Sequence, residues 1–329
     1  MKHPLQLLLP CLILGSCQNA WLTPPPASDD HALFDALWSD IDAHYVFFDQ
    51  KPVDWDEVYT THANQITEGM TEEELFALFS NALRQLQDGH VALYAGFNTY
   101  LYHELYLNFD SNYDPGVVER NYLDRKINSI GPFTYGILPN EVGYLRYSSF
   151  GDDFTAEELT YLLDYFAGTT RLIIDIRDNL GGAADNVTSL MSLFVNSTTT
   201  VGEVHMPNGT SQLLANPIRI YPREDGRQYT NPVYILTNRK CYSSGNIFPA
   251  FMSQLPQVTL VGDTTGGGSG LARAGDLANG WKYRFSAAKI TLVDGTEVEN
   301  GMAPDVVATT GPSDAGIGLD QILEAALSQ

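Results

Sequence analysis

Three short segments of this 329-residue chain carry side chains suited to nucleophilic chemistry. In the first, Ser243 lies between the apolar run 234–237 and a predicted helix that starts at about Ser244. A serine at this place commonly caps the helix, but the helix dipole also favours negative charge that develops on its hydroxyl. Cys241 is a rival nucleophile on chemical grounds. Because Cys241 stands at the strand end, before the turn, we interpret it as a packed thiol.

The second segment, 172–182, is an apolar strand pattern that leads into Gly181 and Gly182, and a helical pattern follows. Glycine lets the backbone turn tightly and present free N–H groups, which can hold a negatively charged oxygen. An ordinary strand-to-helix turn is the alternative interpretation of this segment when it is taken alone.

The third segment, 86–90, ends in an Asp-Gly-His turn. His90 lies between two predicted elements, where functional groups are often displayed, and histidine titrates near neutral pH. His44 and His62, in contrast, lie in helical stretches, which predicts structural or surface roles. A solvated side chain is the alternative for His90 when this segment is taken alone.

The elements around these segments predict an α/β fold. Apolar residues recur at helical spacing from residue 31 to residue 87, and Thr71 with Glu74 forms a capping-box pattern. From residue 141, buried-strand patterns alternate with helical ones. We therefore divide the chain into a helical subdomain, an irregular aromatic connecting region, a core and a C-terminal helix, at residues 31–92, 93–140, 141–312 and 313–329.

Together the segments resemble family S41 of the serine peptidases, the family of the C-terminal processing and tricorn proteases. The motifs D-x-R-x-N-x-G-G, T-N-x-x-x-x-S, V-G-x-x-T-x-G and E-x-x-G-x-x-P-D follow one another in the family's order. The first motif is matched at Asp175, Arg177, Asn179, Gly181 and Gly182, and the second at Thr237, Asn238 and Ser243. The third is matched at Val261, Gly262, Thr265 and Gly267, and the fourth at Glu299, Gly301, Pro304 and Asp305. Two features depart from the pattern. Asn246 replaces the usual Glu after the serine, and one residue fewer separates Glu299 from Gly301.

The resemblance implies a crotonase/ClpP-like α/β core behind the small helical subdomain, and a peptidase that forms an acyl-enzyme on Ser243. The processing-protease branch uses a Ser–Lys dyad, but Gly268 stands at the place of that lysine and no other lysine matches it. The tricorn-like branch takes its base from a histidine after the N-terminal helices, where this chain has His90. The implied activity is therefore hydrolysis of peptide bonds by a Ser–His pair, as an endopeptidase or a carboxy-terminal processing peptidase.

The resemblance also implies the supporting groups. Backbone N–H groups of Gly181 (or Gly182) and Ser244 would hold the oxyanion. Glu299 resembles the acid that supports the site in the tricorn branch, and an exposed turn acid is its alternative interpretation. In that branch a serine can precede the histidine, whereas this chain has Gly89, so that relay member is missing or replaced. The predicted catalytic residues are Ser243, His90 and Glu299.

The connecting region is short for an inserted domain. Many processing proteases carry a PDZ domain between the helical part and the core, which needs roughly 80–100 residues. Residues 93–140 supply 48. We therefore expect no complete PDZ domain and no substrate choice by PDZ-type strand addition.

The first residues are typical of an export signal. Lys2 precedes an apolar run of about ten residues, too short to span a bilayer as a helix. The run ends in Leu-Gly-Ser-Cys, which resembles a bacterial lipobox. We expect residues 1–16 to be a lipoprotein signal peptide, Cys17 to carry the lipid, and residues 17–30 to form a proline-rich tether. An ordinary signal peptide, with an incidental Cys17, is the alternative.

These features predict an exported bacterial lipoprotein, anchored to a membrane at Cys17 and facing the periplasm or the cell exterior. Lys plus Arg number 18 and Asp plus Glu 40, so the formal net charge of -22 argues against a nucleic-acid partner. The three cysteines cannot build a disulfide framework. No His/Asp/Glu cluster has metal-ligand spacing, so we expect neither a metal nor another cofactor. The expected partner is a peptide or protein substrate.

Two other functions stay open at this point. One is a catalytically inactive S41-like lipoprotein that binds a ligand or peptide, which Asn246 in place of the usual Glu favours. The other is a crotonase-type acyl enzyme, because the S41 core resembles that fold. Such an enzyme needs a pocket for a nucleotide carrier, and this acidic chain offers no obvious basic one.

Overall fold

The computed structural model describes residues 29–103, 107–109, 112–207 and 213–329. The predicted signal peptide, the predicted lipidation site Cys17 and most of the predicted tether lie outside these residues. Among the residues that the structure describes, no helix is long and apolar enough to cross a membrane.

The N-terminal part is helical, with α1 Asp30–His44, α2 Trp55–Ala63 and α3 Glu72–Arg84. The residue before each helix is an N-cap: the side chains of Asp29, Asp54 and Thr71 each accept a hydrogen bond from an N–H group of the first turn, which has no intrahelical partner. For α3 this is the capping box of Thr71 and Glu74, so that prediction is confirmed. Phe34 and Phe79 are buried between the helices, with ring centroids 5.1 Å apart.

The described strands, numbered along the chain, are β1 Ala92–Tyr94, β2 Thr99–Leu101, β3 Asn128–Ile130, β4 Phe133–Leu138, β5 Val142–Tyr147, β6 Arg171–Asp175, β7 Thr199–Pro207, β8 Leu213–Ile220, β9 Val233–Thr237, β10 Val258–Gly262, β11 Gly270–Asp276, β12 Lys282–Leu292 and β13 Val306–Val307. The later helices are α4 Ala156–Phe166, α5 Ala184–Met191, α6 Ser244–Met252, α7 Pro312–Gly316 and α8 Gln321–Leu327. A short helical segment also covers residues 115–122.

One sheet is antiparallel, in the order β2-β1-β12-β7-β8, with β11 paired to β12 as well. The helical subdomain packs on it, because Trp281, Tyr283 and Phe285 at the start of β12 are buried in the same apolar cluster as α1 and α3. β1 pairs with β12 directly after the turn that carries His90. The antiparallel sheet thereby fixes the place of that turn.

The other sheet is mixed, in the order β13-β10-β9-β6-β5-β4-β3, with parallel pairing from β13 to β5. Its main core includes Ile174 of β6, Ile235 of β9 and Phe248 of α6, all fully buried. Helices α4, α5 and α6 contribute to the same core, as do β7 and β12. The predicted α/β fold class with an N-terminal helical part is confirmed.

Two segments differ from the prediction in their secondary structure. The connecting region 93–140 is not irregular, because β3 and β4 form a hairpin that extends the mixed sheet and β2 joins the antiparallel one. β2 and β3 have three residues each, too few for their alternation to show in a sequence, and buried residues of β4 do not alternate strictly with exposed ones. The predicted C-terminal helix 313–329 is two short helices, α7 and α8.

A buried ion network closes the end of β6. The Arg177 guanidinium is fully buried and donates to both carboxylate oxygens of Asp175, at 2.6 and 2.9 Å, and of Asp320, at 2.8 and 2.9 Å. It also lies over the Tyr113 ring, 4.2 Å from its centroid. The D-x-R part of the motif therefore anchors the C-terminal end of the chain under the loop that follows β6.

Candidate active site

The turn that carries Ser243 and the loop of Gly181 and Gly182 lie at one edge of the mixed sheet. β6 and β9 are parallel neighbours, so the segments after their carboxyl ends leave the sheet side by side. The Tyr242 N–H donates to the Asn179 carbonyl at 3.0 Å, which joins the two segments directly. The strand pattern in the sequence therefore brings the first two segments together.

Ser243 has a backbone conformation that non-glycine residues rarely adopt, with φ 54° and ψ −124°. It stands at the N-cap position of α6, yet its side chain makes no capping hydrogen bond. Its N–H donates to the Gly267 carbonyl at 2.9 Å, which holds the turn. The structure thus gives the Ser243 hydroxyl no role as a helix cap and leaves it to contact another group.

That group is His90. Its Nε2 lies 3.0 Å from Ser243 Oγ. The backbone N–H of His90 donates to Asp88 Oδ1 at 2.8 Å, an Asx-type turn that aims the imidazole across to the core. On the other side of the ring, Nδ1 faces the Tyr242 hydroxyl at 3.4 Å and Asp88 Oδ1 at 3.8 Å.

Burial lowers the pKa of His90 below its usual value of 6.5. The Asp88 carboxylate acts in the opposite direction, while the Arg284 and Lys51 cations add to the lowering. The imidazole is therefore neutral at neutral pH and can accept a proton from a hydroxyl at Nε2.

Glu299 is 2% exposed, so it is not an exposed turn acid. Its Oε2 accepts hydrogen bonds from the Ser269 N–H at 2.7 Å and the Ser269 hydroxyl at 3.1 Å, and its Oε1 faces Lys51 Nζ at 3.4 Å. Burial first, and then the Asp88 carboxylate, raise the pKa of Glu299 to about 7, against the lowering effect of Lys51. Within the described ranges the Glu299 carboxylate contacts Lys51 and Ser269, which places it beside the Ser243–His90 pair rather than on the imidazole.

Asp88 is the acid that sequence reasoning missed. It is fully buried, and its Oδ1 lies 3.8 Å from His90 Nδ1. Its signal was present, because it is the first residue of the Asp-Gly-His turn. Lys51 was also missed as a neighbour of the site, since nothing in its spacing connects it with Glu299.

The predicted oxyanion donors lie against Ser243. A Cβ on Gly181 would lie 2.8 Å from both Ser243 Cβ and the Ser244 nitrogen, so only glycine fits this close approach. The Gly181 N–H is already bonded to Asn179 Oδ1 at 2.9 Å. The N–H groups of Gly182 and Ser244 have no recorded acceptor among the described residues, and the Ser244 hydroxyl donates to the Gly182 carbonyl at 2.7 Å.

A pocket of about 230 Å³ opens beside Ser243 and Ser244. Its walls are mostly apolar and come from α5, α6 and four strands of the antiparallel sheet, β7, β8, β11 and β12. The apolar lining residues include Val187, Val204, Ile218, Ile247, Phe251, Leu271 and Ile290. Such a cavity suits an aliphatic or small aromatic side chain.

Two further residues have structural roles. Asn246 is buried, donates to the Val298 carbonyl at 2.9 Å and accepts from the Thr265 hydroxyl at 2.6 Å, so it ties α6 to the segment before Glu299. Burial raises the pKa of the Cys241 thiol to about 12, which keeps it protonated and unreactive. The interpretation of Cys241 as a packed thiol is confirmed.

The comparisons with known proteins show the family of the chain. Residues 141–308 match the model of peptidase family S41, and residues 26–84 match the tricorn protease C1 domain. The first match takes in half of the chain, so the protein belongs to peptidase family S41.

Carboxy-terminal processing protease CtpA from Bacillus subtilis (strain 168) is 27% identical over 172 residues, which are 51% of this chain and 35% of that protein. The chain thus spans about a third of the length of that relative. A crystal structure of a candidate peptidase from Parabacteroides merdae ATCC 43184 is 34% identical, with a TM-score of 0.85 over 92% of this chain and 96% of that one. The photosystem II D1 C-terminal processing protease shares the fold, at 15% identity and a TM-score of 0.54, over 86% of this chain and 94% of that one.

Proposed function

We propose that this protein is a serine peptidase that hydrolyses peptide bonds through an acyl-enzyme on Ser243, with His90 as the general base. The observation that carries the proposal is the 3.0 Å approach of Ser243 Oγ to His90 Nε2. A nucleophile and a base within hydrogen-bond reach, with the base oriented by a third group, is the arrangement that acyl transfer requires.

In this mechanism His90 Nε2 takes the hydroxyl proton while Ser243 Oγ forms a bond to the carbonyl carbon of the substrate. The carbonyl oxygen becomes an oxyanion, which the N–H groups of Gly182 and Ser244 stabilise. Gly181 shapes this hole rather than donating, because its N–H is bonded to Asn179. His90 then gives its proton to the leaving amine, and the peptide C–N bond breaks.

The second half of the reaction uses the same groups. His90 takes a proton from a water molecule, whose oxygen attacks the acyl carbon. The bond between Ser243 Oγ and that carbon then breaks, and His90 returns the proton to Oγ. In both halves the imidazole becomes positively charged, and the buried Asp88 carboxylate beside it stabilises that charge. Glu299 and Lys51 form an ion pair next to this arrangement and are assigned to the support of the site.

The apolar pocket beside Ser243 and Ser244 supports a preference for peptides with an apolar residue before the cleaved bond. A carboxy-terminal processing role agrees with the relatives that the chain matches. The length of the connecting region supports the expectation that no complete PDZ domain selects the substrate.

We also propose the cellular setting that the N-terminal sequence predicts. Residues 1–16 direct export, Cys17 is lipidated, and the protein acts on peptides at a membrane surface outside the cytoplasm. Radioactive palmitate should label the wild-type chain in a bacterial host and leave Cys17→Ala unlabelled. Label in the alanine variant, or none in the wild type, would reject the lipid anchor.

Hydrolysis of unfolded casein tests the peptidase proposal. The wild-type chain should release peptides and Ser243→Ala should release none. Ser328→Ala should retain activity, because Ser328 is exposed and its hydroxyl donates to the Ala325 carbonyl at the end of α8. The alternative, an inactive protein that binds peptides, predicts that the wild type and Ser243→Ala bind casein equally and that neither cleaves it. Asn246 favours that alternative only as a departure from the family motif, and its buried contacts give it a structural role.

A further inference from the structure

Lys51 is almost buried at the border between the helical subdomain and the core. Its side chain is 9% exposed, and Nζ lies 5.8 Å from the centroid of the Phe47 ring. Nζ donates to the Gln87 carbonyl at 3.1 Å and lies 3.4 Å from Glu299 Oε1. A lysine this deeply placed is uncommon unless it is paired.

The two oxygen atoms that Lys51 contacts belong to the two sides of the proposed site. Gln87 precedes the Asp-Gly-His turn and has φ 46°, a strained conformation that needs support from its surroundings. The Glu299 carboxylate, in turn, accepts a hydrogen bond from the Ser269 N–H at 2.7 Å, and Ser269 follows Gly268 beside the Ser243 turn. Lys51 therefore connects the turn that carries His90 to the segment that packs beside Ser243.

Charge gives Lys51 a second effect. The buried Asp88 carboxylate lies near Glu299 and raises the pKa of Glu299. Lys51 opposes this effect at Glu299, and its positive charge disfavours the imidazolium form of His90. The other groups that face His90 are Tyr242 on the Ser243 turn and Arg284, which lies opposite Ala92 on β12.

We infer that Lys51 is a positioning residue of the Ser243–His90 site: its amine ties the backbone that leads into the His90 turn to Glu299 and so to the segment beside Ser243. This inference rests on the proposed function. This role differs from that of the lysine in the Ser–Lys dyad of other family members. The Lys51 amine contacts Glu299 and the Gln87 carbonyl, and among the described residues it makes no hydrogen bond to Ser243.

The test compares Lys51→Met, Lys51→Gln and Lys51→Arg with a matched control. Lys282→Met is that control, since Lys282 forms an exposed ion pair with Asp276 at 2.6 Å on the β11–β12 hairpin. Two quantities are measured over about pH 5 to about pH 9: the rate of Ser243 labelling by a fluorophosphonate, and the pKa of His90 by NMR of labelled imidazole carbons. The His90 resonance is assigned by its loss in His90→Asn.

Loss of the Lys51 charge should raise the pKa of His90, so the acid limb of labelling should move to higher pH in Lys51→Met and Lys51→Gln. The labelling rate on the plateau should fall about tenfold or more in Lys51→Met, because the His90 turn loses its tie. Lys51→Arg should restore most of both properties, and Lys282→Met should match the wild type. Lys51→Gln keeps a donor for the Gln87 carbonyl, so it carries the charge test if Lys51→Met does not fold.

A plateau labelling rate in Lys51→Met that stays within about twofold of the wild-type rate would overturn the inference, because the tie between the Gln87 carbonyl and Glu299 would then not matter for the site. Equal losses in Lys51→Arg and Lys51→Met would overturn it too, because they would indicate packing alone. A wild-type chain that the probe never labels would reject the proposed function instead, and the NMR titration would still decide whether Lys51 sets the charge state of His90.

Discussion

Ser243 Oγ and His90 Nε2 lie 3.0 Å apart although 153 positions separate the two residues in the chain. Ser243 belongs to the α/β core, and His90 belongs to the end of the helical subdomain. The pair forms only because β1, directly after His90, pairs with β12 and because the helices pack on the same strand. The docking of the helical subdomain on the antiparallel sheet is therefore a condition for any chemistry at Ser243.

Asp88→Asn tests the acid beside the imidazole. The asparagine oxygen can still accept the His90 N–H, so the turn should persist while the negative charge is lost. Because that charge raises the pKa of His90, the acid limb of casein hydrolysis should move to lower pH in the variant. The plateau rate should fall by on the order of 10²–10⁴-fold, since the imidazolium loses its stabilising charge. An unchanged plateau rate would remove Asp88 from the mechanism.

Glu299→Gln tests the raised pKa of the buried acid through stability. A carboxyl group whose pKa rises from 4.5 to about 7 on folding binds its proton more tightly in the folded state. It therefore makes the wild type less stable as pH rises from about 4.5 to about 7, by roughly 2–3 kcal/mol in the free energy of unfolding. Urea titrations at the two pH values should show this loss in the wild type and a smaller loss in Glu299→Gln. Equal losses in both proteins would contradict an elevated pKa of Glu299.

Ile218→Trp tests the pocket beside Ser243. The half-buried Ile218 side chain lines that pocket, and a larger ring there should reduce its volume. Peptide profiling should then show cleavage after large apolar residues falling about tenfold relative to cleavage after alanine, because about 1.4 kcal/mol of pocket contact is lost. Ile317→Trp is the matched control, since Ile317 is 80% exposed and does not line the pocket. The same profile in both variants would exclude this pocket as the determinant of specificity.

Arg177→Met tests the buried ion network under the site. The substitution leaves the buried Asp320 without its cation and leaves Asp175 with the Arg146 cation alone, at 3.4 Å, so the free energy of unfolding should fall by about 3–5 kcal/mol. Arg223→Met is the control, because Arg223 pairs with the exposed Asp225 and should cost at most about 1 kcal/mol. Chemical denaturation of both variants gives the comparison. A small effect at Arg177 would show that the network does not hold the C-terminal helices.

Much of the fold follows from local patterns. The capping box of Thr71 and Glu74 and the apolar runs of β6, β9 and β10 are local signals, and each became the expected element. The hairpin of β3 and β4 was missed, because its pairing partners and not its own alternation make it part of the sheet. The sequence likewise showed one C-terminal helix where the chain breaks at Gly318, with φ 80°.

The residues of the site could likewise be predicted only in part. Ser243 and His90 were identified through the order of family motifs, since no spacing rule joins positions so far apart. Asp88 and Lys51 were missed as members of the site, because their contacts exist only after the helical subdomain docks. The occupied N–H of Gly181 was equally invisible, since it depends on the rotamer of Asn179.

The most direct test of the central claim is labelling of the full chain by a fluorophosphonate, with the modified residue identified by mass spectrometry. We expect the wild type to be labelled at Ser243 alone, and we expect the labelling rate to fall as His90 becomes protonated at acid pH. Label should vanish in Ser243→Ala and slow by about 10²-fold or more in His90→Ala, which removes the base. Label on another residue, or an unchanged rate in His90→Ala, would contradict the Ser243–His90 pair.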